Sequence, residues 1–315
     1  MARLLVVGSI NMDLIVRCAR LPREGETIHG EDLVTAGGGK GANQAVAASR
    51  LGAETTLIGR VGEDEFGPRL CAALQEDGVD TQFIAADPQA RTGAALILLE
   101  ASGANRIVIM SGANAQLGDE EVAAARSLLG RSDVVLMQLE TPTPVVAAVA
   151  RAAREAGVVS ILDAGAATRA AFDAGLPALV DVISPNESEA ASLTGVEVED
   201  LGSARRAALV LREAGSKDVV VKLGAAGAYW LGEQGDQHFP GFPIQPVDTT
   251  AAGDAFTACL AIGIADGLAM PDAIRRANAA GALACLKLGA QPSMPTRAEV
   301  DVFLSERGGR AALPH

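Results

Sequence analysis

Aromatic side chains are scarce: one Trp, one Tyr and seven Phe make up 3% of the 315 residues. That is too few for a platform that stacks the bases of single-stranded nucleic acid. Basic residues are outnumbered, with 26 Lys and Arg against 39 Asp and Glu and a net charge of −13. A surface of that sign repels a polyanionic backbone and argues against nucleic acid as a partner. A small anionic cofactor stays admissible, because its site needs only local donors. Three histidines and four well-separated cysteines, Cys18, Cys71, Cys259 and Cys285, form no CxxC and give no support for structural zinc. Free thiols in a reducing compartment are expected. No apolar run could span a bilayer without charges or breakers, so no membrane association is expected. The opening MARLLVVGSINMD reaches Asp13 too soon for a signal-peptide apolar region, and the expected location is cytoplasmic.

What is abundant is hydrophobic residues, at 49%, and glycine, at 35 positions. The first supports a sizeable core and the second many tight turns. The length suits one large α/β domain or two ordinary ones. Leu4 to Val7 reads as a buried strand closed by Gly8. From VVLMQLE onward, strand and helix patterns alternate through VVSILDAG, VDVISPN and DVVVKLG. Such alternation predicts a parallel sheet with right-handed crossovers, whose ligands bind beyond the carboxyl ends of the strands. Glu140, Asp163, Asn186 and Gly224 all fall at such ends. Between Gly93 and Ile109 the pattern differs: GAALILLE and RIVIM flank a Gly-Asn turn and predict a hairpin. With IVRCARL and the segment before Gly37, it predicts a small separate sheet inserted into the larger unit.

Three stretches carry the chemistry. DTTAAGDAF, Asp248 to Phe256, precedes an apolar helical run and puts Ala251, Ala252, Gly253 and Asp254 at a helix N-terminus. Free N–H groups and the helix dipole favour an anion there, and small residues allow close approach. Asp254 in that position is either a base beside an anion hole or an acidic residue that stabilises its helix. In SINMD, Asn11 and Asp13 share one face of a strand, as ligands for hydroxyls or as a solvated face. In TAGGGKGANQAVAASRLG the glycines run into a small-residue helix with Gly52 at its end, and Lys40 and Asn43 offer donors to a small polar ligand. The spacing is not that of a Walker A loop, and a flexible loop is the alternative.

GSINMD, GGGKGANQA, MQLE, SPNESEA, KLGAAG and DTTAAGDAF, in this order, resemble the ribokinase group of the PfkB carbohydrate kinases, from about Leu4 to Ser293. The resemblance implies a three-layer α/β ribokinase-like fold with a central, mostly parallel sheet and a small β-sheet lid that pairs two subunits as a homodimer. Residues 1–10, 37–91 and 111–315 would form the nucleotide- and sugar-binding domain, and 11–36 with 92–110 the lid. It also implies ATP-dependent phosphorylation of D-ribose at O5, with Asp254 as the base and Ala251, Ala252 and Gly253 as the anion hole. Asn11, Asp13, Gly39, Lys40, Asn43 and Glu140 match sugar contacts. Asn186, Lys222, Gly224, Ala225, Gly227, Gly253 and Asn278 match nucleotide contacts. Asn186 and Glu189 form an N-x-x-E that would support Mg²⁺ through its waters. Asp248, Thr250, Ala284, Lys287, Gly289 and Ser293 match loops that hold an activating K⁺, mostly through backbone oxygens. Lys222 departs from the threonine often found there, and either adds charge near the phosphates or points outward. Related readings are a deoxyribokinase, fructokinase or nucleoside kinase, and a silent sugar-binding regulator on the same fold.

Overall fold

The computed structural model describes residues 1–100 and 105–308. Its strands are β1 (Arg3–Val7), β2 (Asn11–Cys18), β3 (Asp32–Gly38), β4 (Glu54–Gly62), β5 (Ile84–Asp87), β6 (Gly93–Glu100), β7 (Asn105–Met110), β8 (Val134–Gln138), β9 (Val159–Asp163), β10 (Val182–Ser184), β11 (Asp218–Lys222), β12 (Ala228–Leu231) and β13 (Asp236–Phe239). The α-helices are α1 (Lys40–Arg50), α2 (Gly67–Glu76), α3 (Asp119–Leu129), α4 (Thr143–Ala156), α5 (Arg169–Asp173), α6 (Glu187–Thr194), α7 (Leu201–Glu213), α8 (Ala252–Ala265), α9 (Met270–Ala284) and α10 (Arg297–Gly308).

Among the described residues, nine strands form one sheet in the order β13-β12-β11-β10-β9-β8-β1-β4-β5. Pairing is parallel from β11 to β5, and β12 and β13 add antiparallel at one edge. The central strands are apolar on both faces because both are covered. Leu4, Val6, Leu136 and Ile161 pack into one layer, with residues of α1, α8, α9 and α10. Leu5, Val7, Met137 and Leu162 pack into the other, with residues of α3, α4, α6 and α7. This is the expected three-layer α/β architecture.

The inserted sheet is present as four strands in the order β3-β2-β6-β7. β6 and β7 pair antiparallel as the hairpin reading requires; the turn at 101–104 lies outside the described residues. β2 pairs antiparallel with β3 and parallel with β6, and β3 continues to Gly38, next to the start of α1. Two glycines set how closely α1 sits on the large sheet. A Cβ at Gly41 would fall 2.6 Å from the Gly8 carbonyl carbon, and Gly39 turns the chain at φ +89°. The helix therefore begins against the carboxyl end of β1, which brings its first polar side chains to the strand ends.

Candidate active site

The α8 N-terminus is built for charge and is left without a side-chain cap. Ala251 precedes it at φ 58°, one of two non-glycine residues with positive φ among those described. A left-handed alanine is held only where its surroundings dictate it, and such positions gather at functional sites. In the first turn the N–H groups of Gly253 and Asp254 find no intrahelical acceptor. Asp254 is 4% exposed. Asn43 donates to its Oδ2 at 2.9 Å and Gln44 to its Oδ1 at 3.1 Å. Burial first, then Asp163, raises its pKa to about 6 against the opposing pull of Lys40, Asn43 and Gln44.

Around it the sequence-expected sugar residues converge from distant segments. Asn11 is buried on β2, and Asn114 donates to its Oδ1 at 2.7 Å while also binding the backbone of Ile10. Asp13 stands two residues along; burial, with Glu140 and Asp254, raises its pKa to about 7. Glu140 accepts from the Ser9 hydroxyl at 2.5 Å and from the Lys40 backbone N–H at 3.2 Å. A cavity of about 360 Å³ opens beside Asn11, Asn114 and Glu140, with Ile109 and the other left-handed alanine, Ala166, in its wall. The buried Oδ1 of Asn43 has no partner, so an acceptor next to Asp254 awaits a donor.

Asp163 organises the charges beneath. It is fully buried and accepts from Lys40 Nζ at 3.2 Å, from Lys222 Nζ at 2.8 Å and from the Thr257 hydroxyl at 2.8 Å. Burial alone would raise its pKa, but the two ammonium groups hold it well below the usual carboxylate range. Lys40 stays charged despite burial because Asp163, Asp254, Glu189 and Glu140 surround it. Lys222 points inward: its Nζ lies 3.6 Å from where a Cβ on Gly253 would stand. Of the two directions open to it in the sequence, the outward one is excluded.

A second cavity of about 360 Å³ lies against the other side of the α8 N-terminus. Lys222, Gly224, Ala225, Gly227, Gly253 and Asn278 line it, with Phe242, Ile244 and Cys285 supplying apolar wall. Asn278 donates to the carbonyls of Phe239 and Pro240, which ties down the loop that forms one side. Asn186 does not reach this wall. It caps α6, accepting from the Glu189 N–H at 2.9 Å, while Glu189 Oε2 accepts from the Asn186 N–H at 2.8 Å. The other Glu189 oxygen lies 3.5 Å from Lys40 Nζ.

The six residues of the K⁺ set are only partly together. Asp248 accepts from Thr250 and from the Gly289 N–H, so both of its oxygens are occupied. Ser293 donates to Ala290, Lys287 turns to Glu299 at the surface, and Ala284 is buried in α9. Their side chains are spent, which leaves backbone oxygens.

A model of the pfkB family of carbohydrate kinases matches residues 1–297. The chain belongs to that family. It is 40% identical over 301 residues to a ribokinase from Haemophilus influenzae, covering 96% of this chain and 98% of the relative. It is 32% identical to a deoxyribokinase from Salmonella typhi, covering 95% and 98%. Among solved structures, Arabidopsis thaliana ribokinase complexed with ribose and ATP superposes with a TM-score of 0.87 at 36% identity, covering 96% of this chain and 99% of that one. The carbohydrate-kinase fold read from the sequence is thus the fold observed.

Sequence reasoning left unassigned several residues that hydrogen-bond within this cluster: Gln44, Gln138, Asn114, Ser9 and Thr257. Asp163 stood out only as one of several polar strand ends. Gln44 is adjacent to Asn43 in GANQA, but its direction depends on how α1 meets α8. Nothing local marks Asn114, whose partners are more than a hundred residues away.

Proposed function

We propose that this protein phosphorylates D-ribose at O5 at the expense of ATP in the cytoplasm, with Asp254 as the general base. The observation that carries this is a buried carboxylate at an uncapped helix N-terminus, with one cavity edged by polyol-type donors and acceptors and another lined by glycine and apolar residues. MgATP supplies the phosphoryl group. Asn11, Asp13, Gly39, Lys40, Asn43 and Glu140 bind the sugar, and the unpartnered Asn43 oxygen suits a hydroxyl donor. With its pKa near 6, Asp254 is ionised at neutral pH and close enough in basicity to accept the hydroxyl proton. The N–H groups at Ala251 and Gly253 and the Lys222 ammonium hold the charge of the transferring group, while the Ala252 N–H, the third of the expected set, already donates to the Thr249 carbonyl at 3.3 Å. Gly224, Ala225, Gly227 and Asn278 shape the nucleotide cavity, whose apolar wall suits a base.

Asn186 and Glu189 fit Mg²⁺ only through its waters, since the capping box already uses one Glu189 oxygen. K⁺ would be held by backbone oxygens around Asp248, Thr250, Ala284, Lys287, Gly289 and Ser293. Residues 11–36 and 92–110 act as the lid. Its edge strands β3 and β7 expose Leu33, Val34, Ile107, Val108, Ile109 and Met110, and an open apolar edge of this kind calls for cover. A lid-to-lid homodimer supplies it; sedimentation as monomer alone at micromolar concentration would remove this part.

The deciding assay couples ADP release to ribose, 2-deoxyribose, fructose and adenosine, each in K⁺ and in Na⁺. Ribose with K⁺ is expected to give the highest kcat/KM. A preference for 2-deoxyribose would make the protein a deoxyribokinase, and no turnover with any of them would leave a sugar-binding regulator.

A further inference from the structure

Beneath Asp254 lies a chain of two amides that no part of the reaction described so far uses. Gln44 and Gln138 are both fully buried. Gln138 Nε2 donates to Gln44 Oε1 at 2.7 Å, and Gln44 Nε2 donates to Asp254 Oδ1 at 3.1 Å. Gln138 ends β8, directly across from Asp163, and the room for its amide comes from Gly8: a Cβ there would fall 1.9 Å from Gln138 Oε1. An amide is polar end to end, so its two ends cannot both donate. Once Gln138 donates to the Gln44 oxygen, the Gln44 nitrogen must face the carboxylate.

We propose that Gln138 and Gln44 form a directional relay that positions Asp254 and holds it as a hydrogen-bond acceptor, ready to take the sugar proton. This rests on the reading of Asp254 as the base. Neither glutamine needs to touch substrate; both are positioning residues. Other charges facing Asp254 are Lys40 at the start of α1, Asp163 on β9 and Asp13 on β2. Lys40 favours the ionised carboxylate and the two aspartates oppose it, so a fixed amide donor on Oδ1 adds to the ionising side.

Direction gives the test its sharpness. Gln138→Met removes the donor and leaves Gln44 free to turn. Gln138→Glu replaces it with an acceptor, so Gln44 must donate to Glu and present its own oxygen to Asp254, which is satisfied only when Asp254 is protonated. The measurement is kcat against pH for the sugar substrate at saturating MgATP, with melting curves alongside. Gln138→Met is expected to move the acid limb up by about half to one pH unit, and Gln138→Glu by about one to two. A limb one unit higher lowers the rate on the acid side about tenfold. KM for ATP should stay within about twofold, since ground-state nucleotide contacts are untouched. Folded variants with the wild-type limb overturn the relay, as does an equal shift in both. If neither variant melts cooperatively, the pair is a folding determinant and the proposal also falls. Asp254→Asn separates the two readings: a near wild-type rate there sinks the base itself, whereas an inactive Asp254→Asn beside unshifted Gln138 variants sinks only the relay.

Discussion

The same strand ends are polar on one face of the large sheet and apolar on the other. Gln138, Asp163 and Ser184 stand in register across β8, β9 and β10, and Lys222 joins them from β11. Gln138 bonds to Gln44 of α1, Asp163 to Lys40 of α1 and Thr257 of α8, and Lys222 lies beside Gly253 of α8. All four residues of the row are buried. One residue earlier on the same strands, Met137, Leu162, Ile183 and Val221 face the opposite layer, equally buried and wholly apolar. Burying polar groups costs unless they are hydrogen-bonded, and buried charge costs more. The fold tolerates that cost on the face where two helix N-termini arrive and spares the other. The polar row carries side chains that hydrogen-bond to α1 and α8, and the apolar row carries packing.

Substitutions should separate the two rows. On the α8 side the largest effect is expected from Asp254→Asn, which keeps shape but removes the basic carboxylate. Its kcat should fall about 10²–10⁴-fold, or roughly 3–5.5 kcal/mol of transition-state stabilisation. The melting temperature should hold or rise, since burial disfavours the charge removed. A folded variant turning over within about tenfold of wild type would count against the base.

On the other face Leu162→Ala should do the reverse. Denaturant unfolding should show a loss of about 2–5 kcal/mol, while the folded fraction keeps its kcat and both KM values. A substantial loss of kcat in well-folded Leu162→Ala would erase the distinction between the faces.

Lys222→Met tests whether the inward ammonium serves the nucleotide or only Asp163. Loss of a charged hydrogen bond of roughly 1.5–3 kcal/mol should weaken ADP binding about ten- to a hundredfold. Adenosine binding, read by calorimetry, should be unaffected. Equal loss for both ligands would make Lys222 a packing residue of the cavity.

The smallest effect is a pH effect at Asp13. Its folded pKa of about 7 stands above its ordinary 3.8, so over that window the folded state holds a proton that the unfolded state has released. Stability therefore falls as pH rises from 3.8 to about 7. Asp13→Asn should stabilise the sugar-free protein above neutrality by about 1–3 kcal/mol. The gain should vanish near pH 4, roughly the ordinary carboxylate value, and the sugar KM should rise. Parallel stability–pH curves for variant and wild type would show that Asp13 is solvated.

Much of this site was legible before any coordinates. Asn11 and Asp13 sit in one pentapeptide, Lys40 and Asn43 in another, and Asp254 stands in the first turn of the uncapped helix α8. Where one segment supplies both the group and its backbone, spacing and residue type suffice. The alternating strands and helices identified the α/β class for the same reason, because a period of two or of 3.6 is a local property.

What tertiary structure alone decided is direction and partnership. Lys222 could have pointed outward; in the fold its ammonium turns in beside Gly253 and binds Asp163, 59 residues earlier. Asp163 was one polar strand end among several until Lys40 and Lys222 closed on it. Gln44 and Gln138 are 94 residues apart and meet because Gly8 and Gly41 let α1 lie against the end of β1. The sequence by itself determined which groups this protein carries and on which elements, since those follow from local periodicity and short motifs. Which of those groups are buried, and whose hydrogen bonds they accept, depends on contacts between elements distant in the chain, and no local pattern encodes them.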